Sequence, residues 1–320
     1  MRDKDAATSE FSTHPHFVPL LQQRPWTRLI RFLGKDGKVY TGEPQAPLAW
    51  SKATADLKPS AGEQTDLTAK LITGDIFSQS STTVTDKVIP VARLLSPLAH
   101  VPVFRCIGLN YAKHAEETKM PIPKCPILFM KPSSALQDPF KPVVIPSIAE
   151  NNQADYECEL AVVIGKPCKD VKEAEALDYV LGYTIGNDIS TRKWQGSNLG
   201  SGQWCFSKSF DTFAPLGPSL VSTELIKDPN QLRIKTTLNG KVMQDSNTSD
   251  MIFNVPRLIS FLSQSTTLMP GDVILTGTPE GVGFKRDPPV FLQHGDHVIC
   301  EIESIGELHN TVAYESKFSP

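Results

Sequence analysis

Apolar residues in this chain recur mostly in short runs broken by Pro and Gly, and few runs keep helical spacing. Between residues 26 and 42, Leu29, Ile30, Phe32 and Leu33 interleave with Arg28 and Arg31, then meet the turn chemistry of Gly34 to Gly37. That pattern predicts a hairpin whose return strand begins at Val39 and Tyr40. From residue 104 onward, β-type runs fall at 104–108, 127–130, 142–145, 159–164, 183–185, 232–238, 272–275 and 298–302. Helical patterning is confined to 110–117, 171–179 and 255–265. Many short strands with few helices predict a β-rich α+β fold rather than a doubly wound sheet. A Pro- and Ser-rich stretch at 44–64 sets off a small N-terminal β module, 1–95, from a main domain, 96–320.

The densest chemistry sits at the head of the most apolar strand. Glu157 and Glu159 precede the run Leu160 to Ile164. Alternate residues of a strand share a face, so both carboxylates leave the sheet on the same side. Burying two such anions without a positive partner costs several kcal/mol. Asp188, at the end of the 183–185 strand, is a third candidate ligand. Three carboxylates with no His or Cys beside them favour a hard cation, Mg²⁺ before Mn²⁺ or Ca²⁺. A solvated strand edge with salt bridges accounts equally for an isolated pair of this spacing.

Two further patterns carry chemistry. In the 110–117 helix, His114 and Glu117 stand three apart and share a face. A carboxylate beside an imidazole fixes its tautomer and raises its basicity, as a general base requires; an exposed histidine near an acidic helix end is the alternative. The loop Gly277 to Gly283 follows the 272–275 strand, and its glycines can bring backbone N–H groups close to an anion. It lacks the spacing and the Lys of a nucleotide-binding loop, and a plain structural turn fits it as well.

Bulk properties narrow the class. Over 320 residues the formal charge is −3 and the pI about 6.2, which gives no footprint for nucleic acid. No apolar run approaches a membrane span. The six cysteines, 106, 125, 158, 168, 205 and 300, form no CxxC pair and read as free thiols of a reducing compartment. Asp3, Asp5 and Glu10 in a polar N-terminus argue against a secretory signal and, more weakly, against a mitochondrial presequence, which leaves a cytoplasmic location as the expectation.

Taken in order, the motifs GLNYAKHAEE (108–117), ILFMKPSS (127–134), DYECELAVVIG (155–165), GYTIGNDISTR (182–192) with Gln195, KSFDTFAPLGP (208–218), LNGKVMQD (238–245), SDMIFN (249–254) and PGDVILTGTPEGVG (270–283) resemble the fumarylacetoacetate hydrolase family. The resemblance implies that Glu157, Glu159 and Asp188 hold Mg²⁺ or Mn²⁺. It implies that His114 and Glu117 form a water-activating pair on a short lid helix, and that Lys131, Gln195, Lys208 and Thr278 line the pocket. It further implies the family's β-rich catalytic domain and a homodimer. Two positions depart from the pattern: Leu109 replaces an Arg common in acylpyruvase-like members, and Lys193 stands where an acidic residue is common.

The implied activity is hydrolysis of a C–C bond in a small acylpyruvate or other 1,3-diketo acid through a metal-stabilised enolate, with Lys208 stabilising the developing oxyanion. The same enolate serves oxaloacetate tautomerisation or decarboxylation, isomerisation of 2-hydroxydienedioates, or a biosynthetic reaction on a larger diketone. A catalytically silent metal- or ligand-binding scaffold is the non-enzymatic alternative. The segment from Gln195 to Lys208, with Trp204 as either pocket wall or loop packing, reads as a mobile Gly/Ser-rich loop.

Overall fold

The computed structural model describes residues 24–46, 67–78 and 80–317. Residues 1–23 and most of the Pro- and Ser-rich stretch lie outside the described residues. The architecture is the β-rich α+β fold expected, built on one large mixed sheet and a smaller second sheet.

Strand Cys158–Ile164 lies at the centre of the large sheet, and all seven of its residues are buried. It runs antiparallel to Val180–Asn187 on one side and to Val273–Leu275 on the other. Val273–Leu275 continues in parallel to Phe104–Gly108, which pairs antiparallel with the edge strand Ile127–Lys131. On the far side, Val180–Asn187 pairs with Ala214–Val221, whose end meets Arg28 and Leu29.

Alternation divides the core into two layers. Leu160, Val162 and Ile164 point toward the second sheet, packing with Ile234, Cys300 and Ile302. Ala161 and Val163 point the other way, among Trp26, Leu29, Phe104 and Leu275. Burying one such aliphatic side chain contributes about 1.5–3 kcal/mol, which is what holds the register. The second sheet runs Lys241–Asn247, Arg233–Leu238, His297–Ile302, Gly306–Tyr314 and Val143–Ile145.

The N-terminal hairpin forms as the alternation predicts, with strands Arg28–Gly34 and Val39–Pro44. Strands Thr68–Thr73 and Thr83–Leu95 complete a closed four-strand circuit with it. Through Arg28 and Leu29 this circuit is hydrogen-bonded into the large sheet.

Helix Val255–Leu262 buries Val255, Leu258, Ile259 and Leu262, one face of a helix. The Asn254 side chain caps it by accepting from the Arg257 N–H at 3.0 Å. Two expectations need correction. Residues 171–179 form a 3₁₀ segment, Glu173–Tyr179, rather than an α-helix. The stretch expected to be a loop holds the short helices Ser197–Gly200 and Trp204–Lys208, following Arg192–Gln195. All six cysteines are free thiols, as expected. Among the described residues no helix is long and apolar enough to cross a membrane.

Candidate active site

Glu157 and Glu159 leave the central strand on one face, as parity requires, and Asp188 follows the neighbouring strand Val180–Asn187. The antiparallel register places Cys158 opposite Asn187, which brings the three carboxylates together. One carboxylate oxygen from each lies within 4.8 Å of the other two, and all three residues are buried. An all-oxygen, buried, anionic donor set fits a hard divalent cation.

The surroundings of the three acids are unequal. Lys208 Nζ donates to Glu157 Oε2 at 2.8 Å, to Asp188 Oδ2 at 2.5 Å and to Ser190 Oγ at 2.6 Å. An ammonium has three donors, so Lys208 is fully committed in this geometry. Arg192 forms ion pairs with Asp155 at 2.8 Å and Glu157 at 2.7 Å. Burial pushes the Glu157 carboxyl up, but Lys208 and Arg192 outweigh it and hold it well below the usual carboxylate range. Glu159 accepts only the Gly277 N–H among these donors, at 2.7 Å. Burial, then the charges of Asp188 and Glu157, push its carboxyl well above the ordinary value. Two residues on one strand face thus shift in opposite directions.

The opposite wall comes from helix Ala112–Thr118. His114 Nδ1 lies 2.9 Å from Glu117 Oε2, and the Gly281 N–H donates to Glu117 Oε1 at 2.9 Å. Burial raises the Glu117 carboxyl, but the His114 and Gly281 hydrogen bonds prevail and lower it. The helix is entered through Asn110, whose side chain donates to Thr276 O and Phe253 O and accepts from the Phe253 N–H.

Between floor and wall lies a cleft of about 300 Å³ lined by His114, Glu157, Glu159, Lys208, Gln195 and Thr278, among others. Of the pocket residues expected from the sequence, Lys131 is the one absent from this lining. It is fully buried beneath Asp188, with Nζ 2.5 Å from Oδ1, and donates to the carbonyls of Ile189 and Phe213. Gln195 accepts from Arg192 Nη1 at 2.9 Å through Oε1, which turns its amide NH₂ away from the guanidinium. Thr278 Oγ1 donates to Cys158 O at 2.9 Å and accepts from Gln244 Nε2 at 2.8 Å.

Sequence reasoning missed Arg192 and Asp155 as members of this network. Asp155 has the same strand parity as Glu157 and Glu159, and that spacing was the available signal. Trp204 resolves as a cleft wall, set edge-on to Phe129 with ring centroids 5.7 Å apart. A Cβ at Gly108 would lie 2.0 Å from the Trp204 ring, so a glycine there lets the indole in.

Comparison with known proteins agrees with this geometry. Residues 103–313 match the profile of the fumarylacetoacetate (FAA) hydrolase C-terminal family. A fumarylacetoacetate hydrolase domain-containing protein 2 homolog of Dictyostelium discoideum is 52% identical over 65% of this chain and 70% of its own length. A mitochondrial oxaloacetate tautomerase of Xenopus laevis is 48% identical over 68% of each chain. Among solved structures, the 2-hydroxyhepta-2,4-diene-1,7-dioate isomerase of Mycobacterium marinum superposes with a TM-score of 0.74 at 38% identity, covering 91% of this chain and 100% of that one.

Proposed function

Because the chain belongs to the fumarylacetoacetate hydrolase family, we propose that it is a metal-dependent enzyme of small 2-oxo dicarboxylic acids, interconverting the keto and enol forms of oxaloacetate. One observation carries this reading: His114, backed by Glu117, lines one small cleft together with Glu157 and Glu159 of the buried carboxylate cluster. A carbon acid next to a carbonyl needs an electrophile on its oxygens and a base near its C–H. The name of the Xenopus laevis relative points the same way.

Glu157, Glu159 and Asp188 would hold the ion, Mg²⁺ before Mn²⁺ or Ca²⁺. When bound, such an ion supplies Lewis-acid stabilisation of the substrate's oxygens. Glu117 takes the Nδ1 side of His114, which leaves Nε2 to remove and return the proton. Lys208, with its donors already occupied, acts on developing negative charge through its field and keeps the carboxylates in place. Lys131 supports Asp188 from below, while Gln195 and Thr278 line the cleft the substrate would enter.

A second reading, C–C hydrolysis of an acylpyruvate, is favoured by the same His114–Glu117 pair, which is equally suited to activating water. Incubation with Mg²⁺ and either oxaloacetate or acetylpyruvate, followed by NMR, separates the two. Accelerated enol–keto exchange without cleavage of acetylpyruvate supports the tautomerase; cleavage supports the hydrolase. No turnover of either acid, nor of a 2-hydroxydienedioate, overturns both. Full activity in His114→Ala would remove the base, and undiminished Mg²⁺ binding by Glu159→Gln in calorimetry would remove the ligand set.

Three broader expectations stand as part of the proposal: a homodimer, a domain boundary near residue 95, and a cytoplasmic location. The Xenopus laevis relative carries mitochondria in its name, and organelle fractionation decides between the two compartments. Sedimentation and limited proteolysis test the other two.

A further inference from the structure

Helix Ala112–Thr118 carries both halves of the proton-transfer pair, yet little within it fixes their orientation. It has seven residues, its N-cap residue Tyr111 makes no side-chain cap, and the Lys113 N–H is instead accepted from outside the helix by Asp250 Oδ2 at 3.0 Å. Its exposed Lys113 comes only within 4.0 Å of Glu280, a contact worth little in water. What fixes Glu117 comes from outside the helix. One carboxylate oxygen accepts the Gly281 N–H, and this leaves the other aimed at His114 Nδ1.

Gly281 is itself held from three sides. Its φ of 98° lies in the left-handed region, and a Cβ there would stand 2.2 Å from the Met243 carbonyl oxygen. Its own carbonyl accepts from the Tyr156 hydroxyl at 3.1 Å and from Arg286 Nε and Nη2, each at 3.3 Å. Tyr156 is wholly buried. Two residues further on, Asp155 accepts from the N–H groups of Gly283 and Phe284 at 2.8 and 3.1 Å. The strand mouth that supplies Glu157 therefore also anchors the loop that aims Glu117.

We propose that Arg286, together with Tyr156, is a positioning residue: by clamping the Gly281 carbonyl it sets the Gly281 N–H that orients Glu117 toward His114. The inference rests on the reading of His114–Glu117 as the proton-transfer pair. Arg286 touches neither the cleft lining nor His114 in the contacts above, so its influence runs through the loop. It also lends positive charge to the Glu117 carboxylate, one of the smaller causes of that group's lowered pKa.

The test uses Arg286→Met, Arg286→Lys and Tyr156→Phe in the full chain with Mg²⁺, in wild-type and Glu117→Gln backgrounds. Arg286→Met is expected to lower kcat about 10-fold, with KM changed by less than about twofold, and to shift the pH profile of kcat. Arg286→Lys should restore a substantial part of the rate, because a cation can still donate to the Gly281 carbonyl. In the Glu117→Gln background the Arg286→Met effect should shrink to less than about twofold. An equal loss in both backgrounds overturns the proposal.

Hydrogen exchange at the Gly281 amide reads the clamp without reference to turnover. It should accelerate about 10-fold or more in Arg286→Met and in Tyr156→Phe. Wild-type exchange in both variants overturns the clamp whatever the activity. Accelerated exchange in a protein that turns over no oxo acid would leave the clamp standing and remove the proposed reaction instead. If Arg286→Met fails to fold, Tyr156→Phe and Arg286→Lys carry the same two readouts.

Discussion

The two sides of the cleft are built on different terms. The floor is sheet: Glu157, Glu159 and Asp188 extend from neighbouring strands, Glu157 and Asp188 tied by Lys208, Lys131 and Arg192, all buried or nearly so, and Glu159 by the Gly277 N–H. The wall is a seven-residue helix whose working pair is oriented by a hydrogen bond from one loop glycine. Strand register fixes the floor to within the tolerance of a packed core, whereas the wall is held by contacts from separate loops, through Asn110 at its entry and Gly281 at Glu117. The proposed metal ligands therefore stand on strand register, and the proposed proton-transfer pair on a contact between a short helix and a loop.

Breaking one partner of the floor should produce the largest effect. Lys208→Met leaves Glu157 with Arg192 and Asp188 with Lys131 but removes the buried cation they share, and unfolding in urea should report a loss of about 3 kcal/mol. The same measurement on the wall should differ. Glu117→Gln keeps the shape and removes the charge, so stability should change by about 1 kcal/mol. Its kcat should nevertheless fall about 100-fold, because the imidazole loses the group that sets its basicity. A Glu117→Gln protein as unstable as Lys208→Met would erase the distinction between the two sides.

Acid should sharpen the comparison in ion-free protein. Folding lowers the carboxyls of Glu117 and Glu157, so each contributes stability present above its ordinary 4.5 and lost as pH falls through the folded value. Glu157 is held lower by two cations, so the wall should lose its charge at a milder pH than that floor residue. Glu159 and Asp155 are raised by burial and carry the opposite sign: their contribution is present at low pH and lost as pH rises through their folded values. As pH falls below about 4.5, the Gly281 amide should lose protection from hydrogen exchange while the far-ultraviolet spectrum stays native. Simultaneous loss of both signals would count against separate tethering.

Much of the floor was legible because a strand has a strict period. The spacing of Glu157 and Glu159 foretold a shared face, and the apolar run after them foretold burial. The wall was legible in part: the three-residue spacing of His114 and Glu117 predicts their contact, but nothing local announces the Gly281 N–H, 164 positions away. Arg192 was hidden for a related reason, since its partners Asp155 and Glu157 lie in a different strand region. Among the elements, Ala214–Val221 escaped notice because Pro215 and Pro218 argue against a buried strand. The structure accommodates Pro218 in the irregular stretch between Gly217, opposite Ile185, and Val221, opposite Tyr183. The Gly- and Ser-rich segment before Lys208 read as a loop because composition reports propensity and not the aromatic packing of Trp194 on Phe206 and Phe206 on Phe210.

The floor has a consequence for the order in which this protein is assembled. Asp155, Glu157 and Asp188 are paired with Lys131, Lys208 and Arg192, so these three carboxylates have counter-ions within the protein itself. In a zinc finger the metal is the counter-ion, and the chain stays unfolded until it binds. Here protein cations fill that role for Asp155, Glu157 and Asp188, so closing the chain around these carboxylates does not wait for an ion.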